Sequence, residues 1–292
     1  MNPSAVRFMA AAAMTLACAS ASAQFGFSIP GFGGDGGKKN LDIVGMFDSL
    51  NKATTEIDEA GEIRIGQEFA ATLLGAKPLS PDLRLQRYVN ALGRWLSLQT
   101  ERPDLPWTFA VLDDPGFNAF ATPGGHVFVT QGLVNRMRNE AELAGVLAHE
   151  IAHVLRKHHL RAVQKNAGLS LLSDFVGATK QGGNSQAQAA LLNVGRKLYA
   201  SGLDQSDEFE ADRLGVVIAA RAGYDAYGLP SVLQLLQAQS ASDGGFSLLF
   251  ATHPAPGARI DSLSRTMDGR FERLANAAGR TPAERMREFG GK

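Results

Sequence analysis

Within the 292 residues, the run Ala148-His149-Glu150-Ile151-Ala152-His153 constrains the chain most. Two histidines four positions apart on a helix lie one turn above each other and project from the same face. That face can offer two imidazole nitrogens to a single Zn²⁺ at about 2.0–2.1 Å each. Glu150 follows the first histidine and has the reach to take a proton from a water held at the metal. With His at about 2% and Glu at about 6% of residues, chance would place this pattern in under roughly 1% of chains this long. The metal reading therefore outweighs that of a surface helix with two ordinary histidines.

Two histidines leave zinc short of a third protein ligand, since a catalytic site takes three and keeps a fourth position for water. The only cysteine, Cys18, lies in the apolar N-terminal segment, so a carboxylate or another histidine must serve. The best candidate is Asp207-Glu208-Phe209-Glu210-Ala211-Asp212, which opens a helix after Ser206, a suitable N-cap. Glu208 and Asp212 share a face, whereas Glu210 points elsewhere. Glu208 reads as the third ligand. Asp212 reads as the carboxylate that holds a ligand imidazole by its other N–H. Ala211 would let this helix pass close to its neighbour. Alone, the same acids would read as a charged helix start near the positive end of the dipole.

Lys+Arg and Asp+Glu are both 29, so no net field favours nucleic acid or an anionic surface. The N-terminus reads as a processing signal. Arg7 precedes an alanine-rich apolar run from Phe8 to Ala19, and Ala21-Ser22-Ala23 matches a small-residue cleavage site. That run is too short for a permanent membrane span. Residues 1–23 are thus expected to be a signal peptide, followed by a Gly-rich flexible linker over 24–40, a catalytic domain over 41–268 and a charged tail over 269–292. The alternative at this end is a lipoprotein anchored through Cys18, although Thr15 stands where a leucine is usual.

Helical spacing runs through Ile43, Val44, Phe47 and Leu50 and continues through Ile63, Ile65, Phe69, Leu73 and Leu74 until Pro78. Pro81 opens a second helix with Leu85, Tyr88, Val89, Leu92 and Leu96 on its apolar side. Trp107 to Leu112 and His126 to Thr130 read as strands, the second following the Pro123-Gly124-Gly125 turn, with Asn118-Ala119-Phe120-Ala121 between them. Asn139 with Glu142 is a capping-box start for the metal helix, whose buried side extends to about Leu160. The basic run Arg156, Lys157, His158, His159 and Arg161 reads as a solvated helix C-terminus. His158, five residues after His153, is expected to be exposed and away from the ligand face. His126 reads as a strand residue without a metal role. Further helices are expected from Leu169 to Val176 and from Ala187 to Tyr199, and Gly223 and Pro230 end one helix and open the next.

His149-Glu150-x-x-His153 together with Glu208-x-x-Ala211-Asp212 resembles the gluzincin zinc metallopeptidases. That family includes the CAAX prenyl endopeptidase, the HtpX membrane peptidase and the periplasmic beta-barrel assembly-enhancing protease. Asn118-Ala119-Phe120-Ala121-x-Pro123-Gly124-Gly125 is similar to a segment of the periplasmic members, as is Thr252-His253-Pro254 followed by Arg259-Ile260. The likeness runs from about residue 41 to 266. It departs at Asp204-Gln205, where many relatives have Ser-Arg. The resemblance implies an α+β fold, a mainly helical zincin-like domain with a small sheet next to the metal helix, and one Zn²⁺ per chain. It further implies a zinc endopeptidase of the cell envelope, periplasmic, acting on misfolded or assembling envelope proteins and associated with the outer membrane. His149, His153 and Glu208 would be ligands and Glu150 the base. His253 would lie near the metal, as an oxyanion donor or as a latch on the open position. Arg259 would be a second transition-state donor or a structural ion-pair residue. An extended peptide adding to the sheet edge would meet Asn118, Phe120, Gly124 and Gly125. A different class of function, an envelope chaperone or assembly factor whose zinc site is structural or latched, fits the Gly-rich tether and Cys18.

Overall fold

The computed structural model describes residues 57–166, 203–239, 253, 255–271, 284 and 287. The expected signal peptide, the linker, the helices from Leu169 and from Ala187, and nearly all of the tail lie outside the described residues.

Helix α1 (Glu59–Ala76) starts where Asp58 accepts a hydrogen bond from the Gly61 N–H at 2.8 Å, with Glu59 and Glu62 near its positive end. Helix α2 (Leu83–Ser97) is capped by Asp82, whose side chain accepts from the N–H groups of Arg84 and Leu85. Pro81 thus precedes the cap instead of forming the first helical turn. The apolar stripe of α2, with Leu85, Tyr88, Val89, Leu92 and Leu96 buried, faces the sheet.

Three strands follow: β1 (Thr108–Leu112), β2 (Ala119–Thr122) and β3 (His126–Thr130). Their spatial order is β1-β3-β2, with β1 parallel and β2 antiparallel to the central β3. The segment expected only as a connection between two strands is therefore itself the edge strand. Pro123–Gly125 makes the tight return from β2 to β3, and Gly124 and Gly125 adopt φ of 76° and 103°. A side chain there would be strained, and one at Gly124 would also meet the Ile63 backbone at 2.7 Å. All three strands are buried along their whole length, covered by α1, α2 and the metal helix.

After the short helix α3 (Gln131–Arg136) comes α4 (Glu140–Leu155), which carries the H-E-x-x-H motif. Asn139 caps it by accepting from the Glu142 N–H at 2.9 Å, while Glu142 reaches back to the Arg138 N–H at 2.7 Å, one residue before the usual partner. All 16 of its residues are buried. Apolar, small residues surround this helix on every side, as a helix at the centre of a fold requires. Its packing partners are α6 (Gln205–Arg221), α7 (Gly228–Gln237), α2 and β2. Helix α8 (Pro256–Met267) closes the layer by packing on α6 and α7.

The metal helix ends earlier than the sequence pattern indicates. Lys157 takes φ 54°, and a separate helix α5 (His158–Asn166) begins after it. Lys157 Nζ lies 3.4 Å from the buried carboxylate of Glu62, which also takes two bonds of 3.0 Å from Arg102. This turn rotates the next residue inward. His158 is fully buried, contrary to its expected exposure. The chain thus has a mainly helical α+β architecture with a small mixed sheet beside the metal helix. Among the described residues, no helix is long and apolar enough to cross a membrane.

Candidate metal centre

The α4–α6 crossing brings the two motifs together. Glu208, Ala211, Asp212 and Gly215 form the face that α6 turns toward α4, all of them buried but Gly215 decisive for the approach. A Cβ on Gly215 would lie 2.9 Å from the His149 backbone nitrogen, so the two backbones nearly touch at His149 itself. Ala211, singled out from the sequence for this purpose, lies one turn away and is fully buried.

His149 Nε2 and His153 Nε2 are 3.0 Å apart, Glu208 Oε2 is 3.6 Å from the former, and Glu208 Oε1 is 3.4 Å from the latter. Tetrahedral zinc with bonds near 2.05 Å has ligand–ligand edges of about 3.3 Å, so this donor triangle is the right size for the ion. His253 completes a group of four donors lying within 4.8 Å of one another. Its Nδ1 donates to Glu208, at 3.0 Å from both carboxylate oxygens.

The outer partners are equally defined. His149 Nδ1 donates to Asp212 Oδ1 at 2.9 Å, which leaves the Nε2 lone pair facing His153 and Glu208. Arg259 grips Asp212 through two bonds, Nε to Oδ2 at 2.8 Å and Nη2 to Oδ1 at 2.6 Å. Its Nη1 lies 3.1 Å from Glu208 Oε2. One buried guanidinium therefore bridges the α6 carboxylates at both ends of a helical turn.

Burial alone would raise the Glu208 and Asp212 carboxyls. The charges of His253 and Arg259 outweigh it at Glu208 and bring that group down to about 2, and Arg259 holds Asp212 well below its ordinary range. Both remain ionised at neutral pH. Glu150 goes the other way: complete burial raises it despite the nearby His253 and His149. Its Oε2 has no hydrogen-bond partner among the described residues. Burial also pushes His153 well below its ordinary value, so its imidazole stays neutral, the form in which it could hold a metal ion.

A cleft opens beside these groups, lined by Phe117, Ala119, Leu133, Val146, Leu229 and Leu233 on its apolar wall. His149, Glu150, His253 and Arg259 form its polar floor. The segment expected to hold substrate contributes Ala119 to this cleft, because strand alternation turns Phe120 to the other side, where it stacks on Phe128 at 5.4 Å. Gly124 and Gly125 pack against Ile63 and Trp107 and do not line this cleft. Asn118 is buried, with Oδ1 unpartnered among the described residues and its backbone tied to Thr130. The Asn118–Thr130 pairing sets the ladder so that Ala119 directs its N–H and C=O away from β3, toward the side of β2 that pairs with no strand among the described residues. His126 bonds Thr108 at 2.7 Å within the sheet, away from the donor group. His158 was missed by sequence reasoning; it contacts His153, with Nδ1–Nδ1 at 2.8 Å.

The model of peptidase family M48 matches residues 82–267. The beta-barrel assembly-enhancing protease of Yersinia pestis is 32% identical over 217 residues, covering 71% of this chain and 44% of that protein. The protein of the same name from Shigella flexneri is 31% identical over 205 residues, 68% of this chain and 42% of that one. The mitochondrial metalloendopeptidase OMA1 of Schizosaccharomyces pombe is 31% identical over 176 residues, 60% and 51% of the two chains. The chain spans less than half the length of these two bacterial relatives.

Proposed function

This chain belongs to peptidase family M48, a family of metalloendopeptidase hydrolases, and from that premise we propose a zinc endopeptidase of the bacterial cell envelope. The observation that carries the reading is the meeting of His149, His153 and Glu208 at zinc-sized separations beside the unpartnered Glu150 Oε2. Zinc bound there, one per chain, supplies Lewis acidity that polarises a peptide carbonyl and acidifies water. Glu150 takes the proton of the attacking water and passes it to the leaving amine. Asp212 fixes the His149 ring, and Arg259, engaged by both α6 carboxylates, acts as the ion-pair residue that holds them in place. The Ala119 backbone and Asn118 Oδ1 receive an extended substrate strand, with one side chain entering the apolar cleft. Phe120, Gly124 and Gly125 support that edge from behind.

Residues 1–23 direct export to the periplasm, residues 24–40 tether the catalytic domain over 41–268, and the tail follows from 269. Anchoring through Cys18 is the alternative to soluble export. The name of the bacterial relatives, beta-barrel assembly-enhancing protease, supports substrates among assembling beta-barrel proteins; we extend the proposal to misfolded envelope proteins at the outer membrane and to protein quality control. The test is zinc content and peptide hydrolysis of the wild type and of Glu150→Gln. The variant should keep its zinc and lose at least about 100-fold in rate. Hydrolysis at the wild-type rate by that variant would remove Glu150 from the chemistry.

One observation favours a second reading, an assembly factor or chaperone whose site is latched. His253 sits within the donor group, where it can close the position that water needs. His253→Ala then raises hydrolysis if the residue is a latch and lowers it if the residue is an oxyanion donor. Restoration of a null strain by Glu150→Gln would establish the binding role over the hydrolytic one.

A further inference from the structure

The two ligand histidines are anchored differently. His149 donates directly to a carboxylate, Asp212, whereas the outer nitrogen of His153 meets another imidazole. His153 Nδ1 and His158 Nδ1 are 2.8 Å apart, with the rings at 71°. Two ring nitrogens at this distance share one proton, so one donates and the other accepts. The assignment follows from the opposite side of His153, whose Nε2 faces His149 Nε2 at 3.0 Å and Glu208 Oε1 at 3.4 Å. An Nε2 that ligates a cation carries a lone pair, which puts the proton on Nδ1. His158 Nδ1 must then accept, and its own proton sits on Nε2. That nitrogen is aimed at acids on α6, 3.3 Å from Glu210 Oε2 and 3.5 Å from Asp207 Oδ1. Donors and acceptors thus run in one direction, from the metal position through two neutral imidazoles to the protein surface.

We infer that His158 is a positioning residue for His153, relaying its Nδ1–H to the carboxylates of Glu210 and Asp207. This rests on the reading of His153 as a metal ligand. The backbone is built for it: the φ of 54° at Lys157 breaks the metal helix, and the contact of Lys157 with Glu62 holds the turn that swings His158 inward. His158, Asp207 and Glu210 also have the spacing of a second cation site. Their charges are already balanced, however, because Arg161 lies 3.0 Å from Asp207 and Arg156 lies 3.0 Å from Glu210. The cluster is an anchor and not a second metal centre.

The experiment measures zinc affinity by chelator competition on the full chain, alongside histidine ¹⁵N NMR of the zinc-loaded protein. His158→Leu removes the acceptor and should weaken zinc binding about 10- to 100-fold. His158→Asn retains an acceptor oxygen near the Nδ1 position and should stay within roughly threefold of the wild type. In the zinc-loaded wild type, the proton of His153 should reside on Nδ1 and be shielded from exchange, and that signal should persist in His158→Asn. Full zinc affinity in His158→Leu overturns the inference, as does His158→Asn matching the weakened His158→Leu, or a proton found on His158 Nδ1. Should His158→Leu fail to fold, the NMR assignment and His158→Asn decide the matter. A wild type that binds no zinc, or binding that survives His153→Leu, would instead refute the metal site itself.

Discussion

Gly215→Ala offers a sharp test of how the centre is assembled. The added methyl carbon would sit 2.9 Å from the His149 nitrogen, 3.0 Å from its Cα and 3.2 Å from the Ala148 carbonyl carbon. Ordinary carbon contacts lie at about 3.5–4.0 Å, so α6 must retreat from α4 by roughly 0.5 Å. The neighbours are backbone atoms of a buried helix and cannot turn aside. Overpacking of this kind costs about 1–3 kcal/mol, which exceeds the gain of roughly 0.5–1 kcal/mol from replacing a helical glycine by alanine. Glu208 rides on the same helix about 10 Å away along its axis, and metal sites tolerate departures of only about 0.2 Å. Zinc affinity should fall on the order of tenfold, together with a thermal midpoint lower by a few degrees. Differential scanning fluorimetry and chelator competition read the two effects. Gly75→Ala on α1, where a Cβ meets nothing within 4 Å, serves as the control and should be neutral or stabilising. A Gly215→Ala protein as stable and as tight for zinc as the wild type would refute the argument that this contact sets the ligand geometry.

Three further outcomes are expected. Asp212→Asn should weaken zinc binding about 10- to 100-fold, since the His149 N–H loses a charged acceptor and Arg259 loses its bidentate partner; isothermal titration would show it. His126, buried in the sheet, has its ordinary value of 6.5 pushed down to about 4 by burial. The unfolded chain therefore binds a proton there first, so stability is full above pH 6.5 and is lost as pH falls toward 4, by roughly 2.5 kcal/mol between pH 7.5 and 4.5. Urea titrations should show that slope reduced in His126→Gln, and an identical slope would exclude His126 as its source. Arg259→Lys should reduce zinc affinity and stability together, because an ammonium cannot bridge Asp212 and Glu208 as the guanidinium does; wild-type values for both would discount the bridge.

The parts legible in the sequence were those with local causes. Asn139 caps the metal helix because a side-chain acceptor three residues before an orphan N–H is a short-range affair, and the His149/His153 pair follows from helical periodicity alone. Glu208 was reachable because zinc chemistry demands a third donor. The parallel pairing of β1 with β3 was not legible, since hydrophobic alternation says nothing of which strand lies beside which. Nor was the inward turn of His158, which depends on a left-handed Lys157, a conformation that no glycine or asparagine announces, held by a carboxylate about a hundred residues earlier in the chain (Glu62). Nor was the direction of the Phe120 side chain, which alternation along β2 turns away from the cleft that Ala119 lines.

The proposed activity requires one ion shared between α4 and α6. Metal analysis of the purified wild type and of Glu208→Gln by inductively coupled plasma mass spectrometry measures it directly. One zinc per wild-type chain and a small residual fraction in Glu208→Gln is the expected result. A full equivalent of zinc retained by Glu208→Gln would contradict the ligand set.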